Sequence, residues 1–296
     1  MDEPIHVPVL LGQVLGALEP QRGGLFVDCT LGLGGHTRAL LEAGATRVIG
    51  LDRDRSALAV AATRLAAFGE RVELVHADYR QLPAVLEARR VERVQGVLAD
   101  LGVSSMQFDA EGRGFSFRRD EPLDMRMDQS TGPTAADLVN QTGEEELANA
   151  IYAFGEERYS RRISRALVAA RPITTTGELA SMVRRAVPTK GWQRIDPATR
   201  TFQALRIWVN GELDGLDRFV TDAADRLEPG GRLAVITFHS LEDRIVKHTM
   251  RALAADVPGA FRVLTKKPIV PSDEEVAANH RARSAKLRVG EHPVAH

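Results

Sequence analysis

The stretch Asp28-Cys29-Thr30-Leu31-Gly32-Leu33-Gly34-Gly35-His36 decides the fold of this chain. It overlaps the end of an apolar run, 25–30 (LFVDCT), that predicts a buried strand, and it leads into 36–43, which predicts a helix. Glycines at such a turn let the backbone bend sharply and approach a ligand closely. For the glycines alone, a turn without a ligand is an equal alternative.

Strands and helices alternate on both sides of a long middle region. The predicted strands are 25–30, 47–52, 72–77, 94–101 and 232–238, followed by an antiparallel pair at 261–265 and 284–289. The helices between them are 36–43, 56–68, 82–89 and 213–227, with a turn at 228–231. This alternation is typical of an α/β fold whose parallel sheet is covered on both faces.

The middle region has a different pattern. Its predicted helices are 134–141, 144–154, 156–170, 176–187 and 197–209. Residues 105–133 lack a sustained period and are expected to form an active-site loop or linker. We therefore expect one discontinuous α/β domain, residues 1–104 and 210–296, interrupted by an all-helical insertion at 134–209.

Composition excludes several classes of protein. The chain has 296 residues, a formal net charge of −1 and a single cysteine, Cys29, so it cannot form an internal disulfide or a cysteine-based zinc site. No metal site is predicted. The acidic N-terminus does not resemble a signal peptide, and no apolar run reaches the roughly 18 residues of a membrane helix. We expect a cytoplasmic protein without a membrane partner.

The spacing of the glycines separates two classes of cofactor. A dinucleotide fingerprint requires G-x-G-x-x-G, and Thr37 occupies the position of the third glycine. This disfavours a nicotinamide-dependent oxidoreductase, which is kept as a competing hypothesis. An acid ahead of G-x-G-G instead suits an amino-acid group, because Asp28 can lie near the ammonium of S-adenosylmethionine.

Three further strand ends carry groups that suit the same cofactor. Asp52 can accept hydrogen bonds from both ribose hydroxyls, although a solvated loop aspartate is the alternative. Tyr79 can stack on adenine while Asp78 accepts from its amino group, but Tyr79 alone is better explained by an edge-of-core position. Asp100 ends the fourth strand, at the edge where such sheets bind ligands. Together they predict a methyltransferase.

The single cysteine also bears on the methylated atom. Methylation of cytosine at carbon 5 requires a cysteine nucleophile, and Cys29 lies on the cofactor side of the first strand. An exocyclic amine needs no covalent intermediate, and Asp100 is the candidate acceptor or base for its proton. The strand end Asp100-Leu101-Gly102-Val103 departs from the Asp/Asn-Pro-Pro-Tyr/Phe sequence of many amine methyltransferases.

Eight stretches resemble the bacterial 16S rRNA (cytosine-N4)-methyltransferase family, and the resemblance runs from about His6 to Arg288. They are GLGGH (32–36), LDRD (51–54), DLGVSS (100–105), RGFSFRRDEPLDMRMD (113–128), GEERYSRRI (155–163), PATRTFQALRIWVN (197–210), PGGRLAVITFHSLEDRIVK (229–247) and NHRARSAKLR (279–288). Cys29, Leu33, Met106 and His280 depart from the residues expected for that family.

The resemblance implies a fold, an activity and a site. The fold is a Rossmann-like class I S-adenosylmethionine-dependent methyltransferase sheet with an inserted all-helical domain. The activity is N4 methylation of a cytidine in the ribosomal decoding centre, with 16S rRNA in an assembled small subunit as partner. The implied cofactor contacts are Gly34, Gly35, His36, Asp52, Tyr79, Asp100 and Gln107. The oligomeric state is not readable, and a homodimer is left open.

The helical insertion is the predicted RNA-binding domain. Residues 158–206 contain eleven Arg or Lys and only two acids. Phosphate groups are bound by such residues, and bases stack on aromatic or guanidinium planes. The candidates are Arg161, Arg162, Arg165, Arg184, Arg185, Arg194 and Arg200, with Trp192 among them. The alternative is an ordinary solvated helix face.

Three side chains keep more than one interpretation each. Phe115 and Phe117 either stack on the target base or pin the long loop. His239 either positions the base or shuttles a proton, or it belongs to a helix cap formed through Ser240.

A non-catalytic ribosome assembly factor is the remaining alternative function for this chain. The intact strand end at Asp100 argues against it.

Overall fold

The computed structural model describes residues 8–102, 108, 110–188, 195–257 and 259–294. The chain forms two compact units. One consists of residues 1–102 and 214–296, and the other of residues 103–213.

The first unit is built on a seven-stranded sheet in the order β3-β2-β1-β4-β5-β7-β6. The strands are β1 (Leu25–Asp28), β2 (Arg47–Asp52), β3 (Val72–His76), β4 (Val94–Asp100), β5 (Leu227–Thr237), β6 (Arg262–Val263) and β7 (Lys286–Glu291). Strands β1 to β5 pair in parallel, and β7 joins β5 and β6 in antiparallel pairs. This is the predicted Rossmann-like α/β sheet.

Helices cover both faces of this sheet. In chain order they are α1 (Leu11–Leu18), α2 (Gly35–Glu42), α3 (Arg55–Leu65), α4 (Leu82–Ala88), α10 (Leu216–Asp225), α11 (Ser240–Asp256) and α12 (Asp273–Ala278). Neighbouring residues of β1 serve opposite layers: Val27 belongs to one core and Phe26 to the other. A central strand buried on both faces has to be apolar throughout, which explains the run LFV before Asp28.

One prediction about the sheet is wrong. The residues 228–231 were expected to form a turn before the fifth strand, but they form an irregularity within β5. Val94 pairs with Leu227 and Gly96 with Arg232, so the intervening residues of β5 bulge out of register. Gly230 has a φ of 81°, which permits the bulge.

The second unit is helical. Its helices are α5 (Ala135–Gln141), α6 (Glu144–Gly155), α7 (Ser160–Ala169), α8 (Thr176–Ala186) and α9 (Ala198–Asn210). The irregular segment before α5 packs into the same core through Leu123, Met125 and Met127. Asn210 fastens this segment to α9, because its side chain accepts from the Met127 amide and donates to the Met125 carbonyl, both at 2.8 Å.

Among the helices of the described ranges, none has the length and apolar character needed to cross a membrane.

Close packing at Gly96 gives a test of the sheet. A Cβ at Gly96 would lie 2.6 Å from the Phe26 ring, whereas a Cβ at the exposed helical Gly16 would have no neighbour within 4 Å. Gly96→Ala should lower the free energy of unfolding by about 1–3 kcal/mol through overpacking. Gly16→Ala should raise it by about 0.5–1 kcal/mol. Urea unfolding followed by circular dichroism measures both, and equal effects would contradict the close approach of Phe26 to Gly96.

Candidate functional site

Three aspartates lie at the carboxyl ends of adjacent parallel strands. Asp28 ends β1, Asp52 ends β2 and Asp100 ends β4, and β1 lies between the other two. From β1 the chain continues to β2 and β3 on one side and then crosses over to β4 on the other side of β1, so these ends flank the point where the strand order reverses. Ligands of open α/β sheets bind in that crevice.

The turn after β1 has the shape of a ligand cradle. Gly34 precedes α2 with a φ of 80°, a left-handed conformation that side chains disfavour, and a Cβ there would lie 2.8 Å from Leu65. Gly35 begins α2, and its Cβ would lie 2.6 Å from Pro8. The first amides of a helix have no partner within it and attract a negatively charged group. This end of α2 therefore suits the carboxylate of an amino acid.

Asp28 is held inside the turn by two threonines. Its carboxylate accepts hydrogen bonds from the Thr37 hydroxyl at 2.8 Å and from the Thr30 amide at 3.3 Å. The side chain is almost completely buried. Burial, reinforced by the charge of Asp52, raises the pKa of the Asp28 carboxyl to about 6. Sequence reasoning missed Thr37 as a structural partner, although its place at the third glycine position was noticed.

Asp52 braces the glycine turn. One carboxylate oxygen accepts from the Gly32 amide at 2.7 Å, and the other accepts from the Asp54 amide at 2.8 Å. Burial raises the pKa of Asp52 although these two hydrogen bonds act against the rise. A carboxylate oxygen has more than one lone pair, so both oxygens keep capacity for the two hydroxyls of a ribose.

Tyr79 and Asp78 follow β3, and the structure gives them different partners. The Tyr79 ring contacts Phe219 edge to face at 4.8 Å and is partly buried. Asp78 caps the short 3₁₀-helix Tyr79–Gln81, and its two oxygens accept from Arg80 at 2.7 and 2.8 Å. Arg80 lowers the pKa of Asp78 against the opposing effect of burial. Asp78 is therefore a paired carboxylate that stabilises the start of this short helix.

Asp100 is the least satisfied of the three aspartates. Its backbone amide donates to the Thr30 hydroxyl at 2.6 Å, which fixes the strand end. Oδ2 lies 3.8 Å from Nδ1 of His36, while Oδ1 is buried without a hydrogen-bond partner among the described residues. Burial, together with the charges of Asp28 and Glu242, raises the pKa of Asp100 well above its usual range. Such a carboxyl is suited to accepting a proton.

His239 proves to be a helix cap. Its Nδ1 accepts from the Glu242 amide at 3.4 Å, and it is the residue immediately before α11, so the cap is formed by His239 itself and not through Ser240. Its Nε2 lies 3.1 Å from a Glu242 oxygen. The other Glu242 oxygen accepts from the Phe238 amide at 2.9 Å. Glu242, which sequence reasoning missed, is thus a buried residue in the first turn of α11 that binds the backbone of the strand end.

Phe115 and Phe117 pack inside the helical unit. Phe117 contacts Phe202 edge to face at 4.7 Å, and Phe115 is buried with its ring centroid 6.0 Å from that of Phe108. Both contacts support the interpretation that these rings pin the long loop.

Gln107, Trp192 and Arg194 lie outside the described residues. Of the predicted cofactor contacts, five lie around the turn after β1: Gly34, Gly35, His36, Asp52 and Asp100. Tyr79 follows β3.

Comparison with known proteins identifies the family. The model of the MraW methylase family matches residues 3–293. A protein named ribosomal RNA small subunit methyltransferase H from Sorangium cellulosum is 53% identical over 286 residues, covering 96% of this chain and 89% of that protein. The protein of the same name from Synechococcus elongatus is 51% identical over 288 residues, covering 97% and 94%. This chain therefore belongs to the MraW methylase family.

Proposed function

We propose that this chain transfers the methyl group of S-adenosylmethionine to the exocyclic N4 amine of a cytidine in 16S rRNA, in the decoding centre of the small ribosomal subunit. The names of the relatives support rRNA of the small subunit as the substrate class. Asp100 and Cys29 support an exocyclic amine as the methylated group, whereas the choice of cytidine N4 and of the decoding centre rests on the resemblance.

The observation that carries the proposal is the open oxygen of Asp100. A buried polar atom is normally hydrogen-bonded, and Asp100 Oδ1 has no such partner among the described residues. An exocyclic amine offers N–H donors, and its lone pair is delocalised into the base. An acceptor at Oδ1 can hold the amine while its nitrogen becomes pyramidal and frees the lone pair for attack.

Different residues of the chain have different roles in the proposed reaction. S-adenosylmethionine would supply a methyl group bound to a positively charged sulfur. Asp52 would hold its ribose, and the amides at the start of α2 would hold its carboxylate end. Asp100 orients the amine and receives its proton once the nitrogen–carbon bond has formed. The proton then leaves to solvent, so the carboxylate is restored.

Cys29 is unsuited to the alternative chemistry at carbon 5. The residue is 2% exposed, and its amide is bonded to the Leu98 carbonyl at 2.8 Å within the sheet. Burial and the charges of Asp28 and Asp78 raise the pKa of the thiol well above its usual range. The thiolate, which is the nucleophilic form, is therefore disfavoured at neutral pH.

An exposed basic face on α7 supports RNA binding by the helical unit. Arg161 and Arg162 are exposed in the first turn of α7, and no acid occupies that turn. Cations at a helix N-terminus are opposed by the helix dipole, so these residues do not serve the stability of the helix. Arg165 continues the face one turn later, where its guanidinium lies 3.6 Å from the Glu144 carboxylate. Arg184 is paired more closely, with Asp196 at 2.8 Å.

The identity of the methylated atom is tested directly. Wild-type protein, labelled S-adenosylmethionine and small ribosomal subunits lacking the modification should yield N4-methylcytidine, detected by mass spectrometry of nuclease digests. Cys29→Ala should retain methyl transfer within about 3-fold, because no covalent intermediate is formed. Label at carbon 5, or loss of transfer in a folded Cys29→Ala protein, would refute the amine chemistry.

Asp100 and Asp52 should separate turnover from cofactor binding. Asp100→Asn keeps the shape of the side chain, but an amide cannot take a proton from the amine. The kcat should therefore fall by about 10²-fold or more. Asp52→Asn should mainly raise the KM for S-adenosylmethionine, since the ribose acceptor is weakened. Steady-state kinetics and titration calorimetry measure both effects. An Asp100→Asn variant with full kcat would show that the catalytic role is wrongly assigned.

The basic face should be visible in the salt dependence of RNA binding. Arg161→Glu/Arg162→Glu should weaken binding of a 16S rRNA fragment by about 10-fold or more at low salt and reduce the slope of log K against log salt by about 1–2. Arg90→Glu, which reverses an exposed charge in the sheet-containing unit, is the matched control. If both variants bind equally well, α7 is an ordinary solvated helix.

A further inference from the structure

We propose that His36 is a positioning residue for the base: its imidazolium form pairs with Oδ2 of Asp100 and so holds Asp100 as the carboxylate whose Oδ1 accepts the amine proton. This inference rests on the proposed function. It gives the His36 side chain a task separate from the cofactor contact that the resemblance implies for this position.

The orientation of the His36 ring follows from one hydrogen bond. Nε2 lies 3.0 Å from the backbone carbonyl oxygen of Val9. A carbonyl oxygen can only accept, so Nε2 carries a hydrogen in both the neutral and the charged imidazole. The nitrogen that gains or loses a proton is therefore Nδ1, and Nδ1 is the atom that faces Asp100.

The distance and the burial favour an ion pair. Nδ1 of His36 and Oδ2 of Asp100 are 3.8 Å apart, within the range of an ion pair and longer than a hydrogen bond. The His36 side chain is 7% exposed and that of Asp100 is 23% exposed. Charges separated by so short a distance interact more strongly away from bulk water than in it. The pair carries one proton, and its net charge is zero wherever that proton lies.

Asp100 needs such a countercharge because its other charged neighbours are acidic. Asp28 and Glu242 both act on Asp100 and both favour its protonated form, as does burial. Within the described ranges, the basic side chain at ion-pair distance from Asp100 is that of His36. A protonated carboxyl cannot accept the amine proton. The His36 imidazolium is therefore the group that keeps Asp100 ionised, so that Oδ1 can accept that proton.

The proton count of the reaction is consistent with this arrangement. The amine nitrogen forms its bond to the methyl carbon, and the carbon–sulfur bond breaks with its electron pair remaining on sulfur. One N–H proton passes to Oδ1 of Asp100, while the imidazolium proton stays on Nδ1 of His36. Release of the added proton to solvent returns the pair to its starting state.

The fold explains why the backbone can bind the cofactor while this ring does something else. His36 is the second residue of α2, so its backbone belongs to the helix end that suits a carboxylate group. Its side chain points to the Val9 carbonyl and to Asp100. Replacing the ring should therefore change turnover and its pH dependence more than it changes cofactor affinity.

The kinetic test uses His36→Gln. The glutamine amide can still donate to the Val9 carbonyl, but it cannot take up a proton. We expect kcat to fall by about 10–100-fold and the acid limb of the pH–rate profile to move to higher pH, because Asp100 loses its countercharge. The Kd for S-adenosylmethionine, measured by calorimetry, should change by less than about 3-fold. An unmoved pH profile, or a loss confined to cofactor affinity, would overturn the proposal.

His292→Gln is the matched control for the loss of a histidine ring. His292 also contacts a backbone carbonyl, that of Leu227 at 2.9 Å, but it follows β7 near the other edge of the sheet. This variant should keep the kcat and the pH profile of the wild type. Equal losses in both variants would indicate a general effect of histidine removal and would contradict a specific role for His36.

A second measurement needs no RNA and no turnover. The side-chain nitrogen resonances of His36 can be followed against pH in ¹⁵N-histidine-labelled protein and assigned by their absence in His36→Gln. Asp100→Asn should lower the pKa of His36 by about 1 unit or more, because the anionic partner is lost. An unchanged pKa overturns the pairing. Absence of methyl transfer by the wild-type protein would instead overturn the proposed function, so the two failures are distinguishable.

Discussion

The turn between β1 and α2 is the constraint on which the rest of the site depends. It must reverse the chain within a few residues and leave the first amides of α2 pointing at a ligand. Gly34 supplies the left-handed conformation, and Asp52 braces the turn through the Gly32 amide at 2.7 Å. The Thr30 hydroxyl in the same turn accepts a hydrogen bond from the Asp100 amide at 2.6 Å, so one structure fixes both the cradle and the candidate base.

Such a site places acids together at an electrostatic cost. Asp28, Asp52 and Asp100 end neighbouring strands, and burial raises the pKa of each. The chain relieves the first two with hydrogen bonds from hydroxyls and amides. Asp100 is left with one open oxygen and one histidine among the described residues. An arrangement of this kind is typical of sites where a ligand or a reacting group completes the set of partners.

The two units place different demands on their sequences. In the sheet-containing unit, the central parallel strands are buried on both faces, so most of their residues before the functional strand end are apolar. In the helical unit, the apolar faces of the helices form one core. The basic residues of α7, Arg161, Arg162 and Arg165, are exposed. The irregular segment before α5 is ordered by core side chains and by Asn210. The sequence of this segment has no hydrophobic period, because its buried side chains do not follow the repeat of a helix or of a strand.

Sequence alone determined the order of strands and helices in the α/β fold, the glycine turn and the aspartates at the strand ends. These follow from local patterns, because burial periodicity and glycine spacing are properties of neighbouring residues. Tertiary structure decided what those residues contact. Thr30 is 70 residues from Asp100 and Val9 is 27 residues from His36, and His239 matched several roles until its ring was placed. The bulge in β5 likewise depends on its pairing with β4, which no local pattern records.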